Sequence, residues 1–294
     1  MPTNVAQIAS RTLLLTAVAM LAFAANSILC RLALGPKLID AATFTAIRVV
    51  SGAATLALIM LLRRHSPIAG ANWRSAAMLF AYMIFFSYAY LSLSAGTGAL
   101  ILFGAVQLTM FTAALRGGET FSPLSWAGLT LAIGGLVYLV SPGVTAPDLL
   151  GAVLMAVAGI AWGFYSLAGR GARDPLAATA GAFIYSLPAA LAVFLLSGIM
   201  STAHLSANGL AFAVASGAIT SGCGYVIWYA ALPGLAPTRA ATVQLSVPLI
   251  AAFGGVLFLS EGVTLRLLLA SLATLGGVTI VMAQRAIKAT RAPD

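Results

Sequence analysis

Charge is what this sequence has least of. Only 7% of its 294 residues are charged, and the six acids (Asp40, Glu119, Asp148, Asp174, Glu261 and Asp294) face 15 Lys and Arg. An average soluble domain carries ~25% charged residues. Too few are present here to cover a water-exposed surface, which excludes an ordinary soluble enzyme. The 61% apolar content also excludes a disordered chain. Cysteine and histidine are nearly absent, with two of each. Cys30 and Cys223 both fall in apolar runs far apart, which makes neither a disulfide framework nor a metal motif, so they read as packing residues. His65 and His204 lie in connections on opposite sides of the expected topology and form no common site. HExxH, GxSxG and Asp-rich motifs are missing, and no expected span contains a histidine. That leaves no nucleophile–base pair or metal-binding cluster of the kind intramembrane catalysis needs. Neither a cofactor nor a metal is implied.

What the sequence has is long, continuous apolar runs rich in Leu and Ala. An outer-membrane barrel would instead show ~10-residue segments of alternating polarity. At ~20 residues per helix the length suits an all-α membrane protein with ten spans. They are expected at 12–33, 41–62, 74–93, 97–115, 123–140, 149–169, 177–198, 208–231, 239–259 and 264–284. The first resembles a secretion signal, but Thr12 to Cys30 is an uncharged stretch longer than the usual 7–15-residue signal core, so a retained helix is expected.

Ten spans put both termini on one side. If that side is the cytoplasm, the inner segments hold Arg11, Arg63, Arg64, Arg74, Arg116, Arg170, Arg173, Arg239, Arg285, Lys288 and Arg291, while the outer ends hold only Arg31, Lys37 and Arg266. This is the asymmetry of the positive-inside rule. It accounts for the net charge of +9 without invoking a nucleic-acid surface, since the basic residues are spread through short connections.

The chain also repeats itself. Ala17–Arg31 lies over Ala156–Arg170 without gaps, pairing Ala17, Val18, Ala19, Ala22, Ser27 and Arg31 with Ala156, Val157, Ala158, Ala161, Ser166 and Arg170, a shift of 139. Glu119 precedes Gly134-Gly135 by fifteen residues and Glu261 precedes Gly276-Gly277 by fifteen, a shift of 142. The two units are residues 1–145 and 146–294. Five spans per unit is an odd number, so the second must enter the bilayer upside down. Inverted repeats are an architecture of transporters, because one half can rock against the other.

Two five-helix halves, Arg48 in the second span, the paired Glu and Gly-Gly positions and Pro248 in the ninth span together resemble the EamA branch of the drug/metabolite transporter superfamily. The resemblance covers nearly the whole chain and implies ten helices as two inverted five-helix repeats around a central cavity. It implies export of amino acids across the bacterial inner membrane. Leu102-Phe103-Gly104-Ala105-Val106-Gln107 and the aromatic third and eighth spans are most similar to the aromatic amino-acid exporters of that branch. A hinge role carries over to Pro248 only, because the matching place in the fourth span is near Val106-Gln107.

Polar and aromatic side chains at mid-depth are the candidates for a substrate site. Tyr82, Phe85 and Phe86 share a face of the third span, and Tyr225, Trp228 and Tyr229 share one of the eighth, its repeat mate. Trp162 and Tyr165 in the sixth span match Phe23 and Asn26 in the first. The expected substrate-binding residues are Asn26, Tyr82, Phe86, Phe103, Gln107, Trp162, Tyr165, Tyr225, Trp228 and Gln244. For Asn26, helix-to-helix hydrogen bonding is an equal alternative. Trp73, Trp126, Tyr138 and Tyr90, near span ends, read as an interfacial belt. Arg48 has two readings: a carboxylate ligand, or a structural group that snorkels or binds backbone carbonyls and Asp40. The family carries arginine here across diverse substrates, so the structural reading is preferred and Arg48 stays outside the expected site.

All six acids fall at span ends or in loops, whereas proton-coupled carriers keep one at mid-membrane. The expected activity is therefore downhill export or exchange of neutral and zwitterionic solutes, amino acids above all. A phosphate-bearing substrate needs several cavity cations, and only Arg48 is present. A broader metabolite or drug exporter is the alternative, followed by a membrane scaffold. Beyond substrate and bilayer no partner is implied, and a monomer suffices.

Overall fold

A computed structural model describes residues 2–169, 172–200, 203–235 and 237–291. Arg170 and Asp294, used above in the charge and repeat arguments, lie outside the described residues. The described chain is helical. Its spans in order are Pro2–Leu34, Ala41–Leu62, Trp73–Ala89, Ala95–Arg116, Pro123–Val140, Leu149–Gly169, a seventh in two pieces (Pro175–Tyr185 and Leu187–Ile199), an eighth from Ala207, a ninth in two pieces (Pro237–Val243 and Ser246–Leu259), and Leu265–Arg291. Ten spans thus stand where the apolar runs place them. Eight, the two-piece seventh among them, are long and apolar enough to cross a bilayer. The third is shorter than expected, stopping at Ala89 with Tyr90 as its cap.

Local chemistry sets these boundaries. Asp40, Asn72, Ser94, Ser122, Asp174 and Ser206 each precede a helix and accept a hydrogen bond from a backbone N–H in its first turn. Pro123 and Pro175 open their helices, where a missing N–H costs nothing. Inside a span proline has the opposite effect. Pro248 cannot donate to the carbonyl of Gln244, and the ninth span breaks at Gln244-Leu245; Pro188 does the same near Ser186 in the seventh. Broken helices are a recurring feature of carriers.

Two ends of the bundle can be told apart: a proximal end, where the first span begins, and a distal end, where it finishes. The connection after the first span meets the one after the seventh at the distal end, where Asp40 N–H donates to His204 O and Ser206 N–H to Leu38 O. The connection after the second packs on the start of the seventh at the proximal end, with Gly70 against Ala178 and Gly181 against Ala71. The first span therefore starts proximally, whereas its repeat mate, the sixth, starts distally, where Asp148 accepts from Ser92. The halves are inverted.

The symmetry is clearest where the fifth and tenth spans cross. A Cβ on Gly135 would lie 2.6 Å from Thr274 Oγ1 and 2.9 Å from Ala270 O, and a Cβ on Gly277 would collide with Ala132 N and Gly128 O. Shifting 128, 132 and 135 by 142 gives 270, 274 and 277, so the same contact is made twice, as across a two-fold axis. Gly159 and Gly163 bring the sixth span equally close to the fourth, against Leu102 O and Thr109.

Candidate functional site

The second span carries Arg48 to the middle of the bundle. Eight residues past Asp40, at about 1.5 Å of rise each, it lies about 12 Å deeper than that acid. This separation explains why the expected Asp40 contact does not form. Asp40 instead accepts from Thr43 N–H (2.9 Å) and His204 N–H (3.0 Å). Partial burial opposes its charged form, but the hydrogen bonds from Thr43 and His204 outweigh that, and its carboxyl is held below the usual carboxylate range. Arg48 is only 1% exposed and does not snorkel. Its Nε and Nη2 donate to Ser221 Oγ (3.3 Å each) and Nη2 also donates to Tyr82 Oη (3.2 Å). The guanidinium carbon sits 5.3 Å from the Tyr82 ring centre and 5.1 Å from that of Phe86. Nη1 is buried and has no partner.

Asn26 completes this polar centre. Its amide donates to Tyr82 Oη (3.4 Å), and its carbonyl accepts from Ser216 (2.7 Å) and Thr220 (3.2 Å). The three hydroxyls come from one unusual element. Between Ala207–Val214 and Gly224–Ala231 the eighth span widens into a π-helix, Ala215–Cys223. It is pressed against the second span, where a Cβ on Gly217 would collide with Arg48 O and Ser51 Oγ. Ser216, Thr220 and Ser221 are all buried. Single π-turns within helices recur at functional sites.

Aromatic rings surround the polar centre. Trp162 lies 4.8 Å from Tyr82, 5.2 Å from Tyr165 and 5.6 Å from Tyr225, nearly parallel to the last at 19°. Tyr82 meets Phe86 at 5.3 Å, and Phe23 joins Tyr225 (5.8 Å) to Trp228 (6.0 Å). Tyr165 and Tyr229 share hydrogen bonds with Thr179, both at 3.0 Å. Seven of the expected residues, Asn26, Tyr82, Phe86, Trp162, Tyr165, Tyr225 and Trp228, thus form one connected cluster that faces the centre and not lipid. Tyr90 belongs with them and not with an interfacial belt: it is fully buried, 4.8 Å from Phe86, and donates to Ala95 O. Trp73, Trp126 and Tyr138 are exposed on the outer surface.

The fourth and ninth spans hold the rest. Phe103 is buried, Gln107 lines a small cleft with Phe111, Leu129 and Val278, and the half-buried Gln244 donates to Ala240 O of its own helix. None of these contacts joins the three to the central cluster. Pro248 stands one turn beyond the break in the ninth span. The sequence keeps Arg48 outside the expected site and does not single out Ser216, Thr220 and Ser221, all of which the structure brings to this centre. The signal for the hydroxyls was their density, Ser216, Thr220 and Ser221 within six residues of an apolar span.

At the distal end the halves are tied together. Arg31 Nε donates to Glu261 Oε1 (3.1 Å), Glu261 Oε2 accepts from Ala95 N–H (2.8 Å), and Arg31 Nη1 donates to Tyr90 O (3.1 Å) and Leu91 O (3.3 Å). Arg266 caps the fifth span, donating to Leu139 O and Ser141 O. Among the described residues no group of three His, Cys, Asp or Glu side chains is placed to hold a metal.

Comparison with known proteins agrees with this architecture. The EamA-like transporter family matches the chain twice, over residues 10–141 and 149–283. An uncharacterized protein of Pseudomonas aeruginosa is 52% identical over 283 residues, which cover 96% of this chain and 98% of that protein. A solved crystal structure with 19% sequence identity superposes with a TM-score of 0.63, covers 94% of this chain and 99% of that one, and shows the same fold. With both halves matched, the chain belongs to the EamA-like transporter family and is a multi-pass membrane transporter of the drug/metabolite transporter superfamily.

Proposed function

We propose that this transporter exports amino acids, aromatic ones and others with neutral apolar side chains, across the bacterial inner membrane by alternating access. The observation that carries this reading is the central cluster, in which rings from the first, third, sixth and eighth spans close around Arg48, Asn26 and three hydroxyls. Rings supply stacking and apolar contact for a side chain. The amide and hydroxyls add hydrogen bonds to the polar end of a zwitterion. Pockets of this kind separate similar apolar groups poorly, so Met, Leu and Thr are expected beside Phe, Tyr and Trp. The buried Leu102–Gln107 stretch adds its likeness to aromatic amino-acid exporters.

Asn26, Tyr82, Phe86, Trp162, Tyr165, Tyr225 and Trp228 line the closed site. Phe103, Gln107 and Gln244 join the path when the fourth and ninth spans shift about the break at Pro248. The excess of basic residues makes the proximal end, with both termini, cytoplasmic. Two of the three distal cations, Arg31 and Arg266, are engaged by protein groups, which fits that assignment. With Arg48 the only charge in the centre among the described residues, transport runs downhill or by exchange. The site is complete within one chain, so a monomer suffices.

Counterflow into liposomes with a panel of labelled amino acids and quaternary ammonium drugs tests this reading. Saturable exchange of phenylalanine and its neighbours without the drugs is expected. Exchange of the drugs as well supports a broader exporter, and no saturable exchange of any solute supports a scaffold. Tyr82→Ala and Trp162→Ala each remove about 1.5–3 kcal/mol of buried contact and are expected to weaken phenylalanine exchange about tenfold or more, with Trp73→Ala as the unaffected surface control.

A further inference from the structure

Arg48 is a buried cation whose hydrogen bonding is incomplete. A guanidinium has five N–H donors, and here those on Nη1 meet no acceptor. The bonds that Nε and Nη2 do make, 3.2–3.3 Å to neutral hydroxyls, are long beside the ≈ 2.7–2.9 Å of charge-assisted pairs. Among the described residues no carboxylate balances the charge: the titratable side chains that face Arg48 are the phenols of Tyr82 and Tyr225 and the thiol of Cys30. Asp40 is capping the second span, and Glu261 is paired with Arg31. An unpaired charge at membrane depth is costly and marks a functional position. An arginine serving only to clamp helices has no use for buried donors left without an acceptor.

We infer that Arg48 is the carboxylate-binding residue of the transport site, and that the protein takes solutes bearing a free carboxylate next to an apolar side chain. The inference rests on the amino-acid reading above and narrows it: the carboxylate, not the amino group, is the handle. Nη1 and Nη2 form a fork that matches a carboxylate. The solute's carboxylate replaces the Tyr82 and Ser221 hydroxyls as acceptor and supplies the missing negative charge, while Tyr82, Phe86 and Trp162 stack on its side chain. On release the guanidinium falls back on the two hydroxyls, so the empty site survives without a resident acid. A fixed carboxylate beside Arg48 would compete with the substrate, which gives the acid-free centre a second reason.

The test uses purified protein in liposomes loaded with labelled phenylalanine, with phenylalanine, 3-phenylpropionate, phenylalaninol and phenethylamine as external solutes at equal concentration. Phenylalanine and 3-phenylpropionate are expected to be recognised, and the two compounds without a carboxylate at least about 30-fold less well, as losing a charged hydrogen bond implies. Arg48→Lys is expected to keep that preference with weaker affinity, and Arg48→Gln to reduce it to within about threefold. Recognition of phenethylamine within threefold of phenylalanine overturns the proposal on the wild type alone, whether or not the variants fold. If labelled phenylalanine does not exchange at all, the amino-acid reading fails, and the carboxylate site is judged by melting temperature in detergent. There 3-phenylpropionate must raise it where phenethylamine does not. An equal rise with both, no rise with either, or the same rise with sodium chloride overturns the site.

Discussion

The Tyr82 hydroxyl links the parts of the centre, since it accepts from both Arg48 and Asn26. Tyr82→Phe keeps the ring and leaves two buried donors short of an acceptor. We expect it to lower stability by about 1–3 kcal/mol, read as a lower melting temperature in detergent, whereas Tyr88→Phe on the exposed side of the same helix stays within about 0.5 kcal/mol. The aromatic part of this centre was legible in the sequence, because Tyr82 with Phe86 and Tyr225 with Trp228 repeat at helical spacing in corresponding spans. Arg48 was visible as the one charge within a span, but its partners were not: it bonds Ser221 and Tyr82 rather than Asp40. Its surroundings are decided by the π-turn of a span more than 160 residues away, and no local pattern reports which hydroxyls such a turn directs inward. Gln107 and Gln244 show the converse: an amide in an apolar run marks burial, not the direction it faces.

At the scale of the helix, glycine pairs and caps make separate predictions. Gly135 and Gly277 are at the crossing of the fifth and tenth spans, while Gly134 and Gly276 have open space where a side chain would go. Gly135→Ile and Gly277→Ile are expected to cost about 1–3 kcal/mol each through overpacking, and Gly134→Ala and Gly276→Ala to be neutral or stabilising by up to about 1 kcal/mol. Thermal unfolding of the four variants checks the pattern, and similar losses at all four contradict it. Asp40 caps the second span from a carboxyl whose pKa is lowered. Its contribution is therefore present above the unfolded value of about 3.9 and is lost as pH falls through the lower folded value. Asp40→Ala is expected to cost about 1 kcal/mol at pH 7, and the difference from wild type begins to shrink only below about pH 4 and is gone once pH has fallen past the lower folded value. The spans themselves were legible to within a few residues, except that the first helix begins earlier, at Pro2, and the last runs on to Arg291. The break in the seventh went unnoticed, since Pro188 sits in an apolar run that reads as one helix, whereas Pro248 announced the break in the ninth.

The whole molecule is two inverted halves closed over one centre. With Arg48 1% exposed and Tyr82 6% exposed, no solute reaches the centre until spans part. At the distal end, the Arg31–Glu261 pair joins the first span to the ninth-to-tenth connection, with Ala95 N–H as a third member. Charged hydrogen bonds of this kind contribute about 1.5–3 kcal/mol, so Glu261→Gln is expected to raise the opening frequency of that end about tenfold. Cys30, fully buried beside Arg31, reports it: in a Cys223→Ser background an impermeant maleimide added distally labels Cys30 correspondingly faster in the variant. Equal labelling rates contradict the closure assigned to this pair. The inversion was legible because it follows from parity and the 142-residue shift, whereas the closed state was not, since closure depends on contacts between halves that no single segment encodes. Simultaneous recording of labelled phenylalanine flux and internal pH in proteoliposomes separates uncoupled export from proton-coupled export. Saturable phenylalanine movement down its gradient with no accompanying proton movement is expected; one proton carried per phenylalanine, or no saturable flux, contradicts uncoupled export.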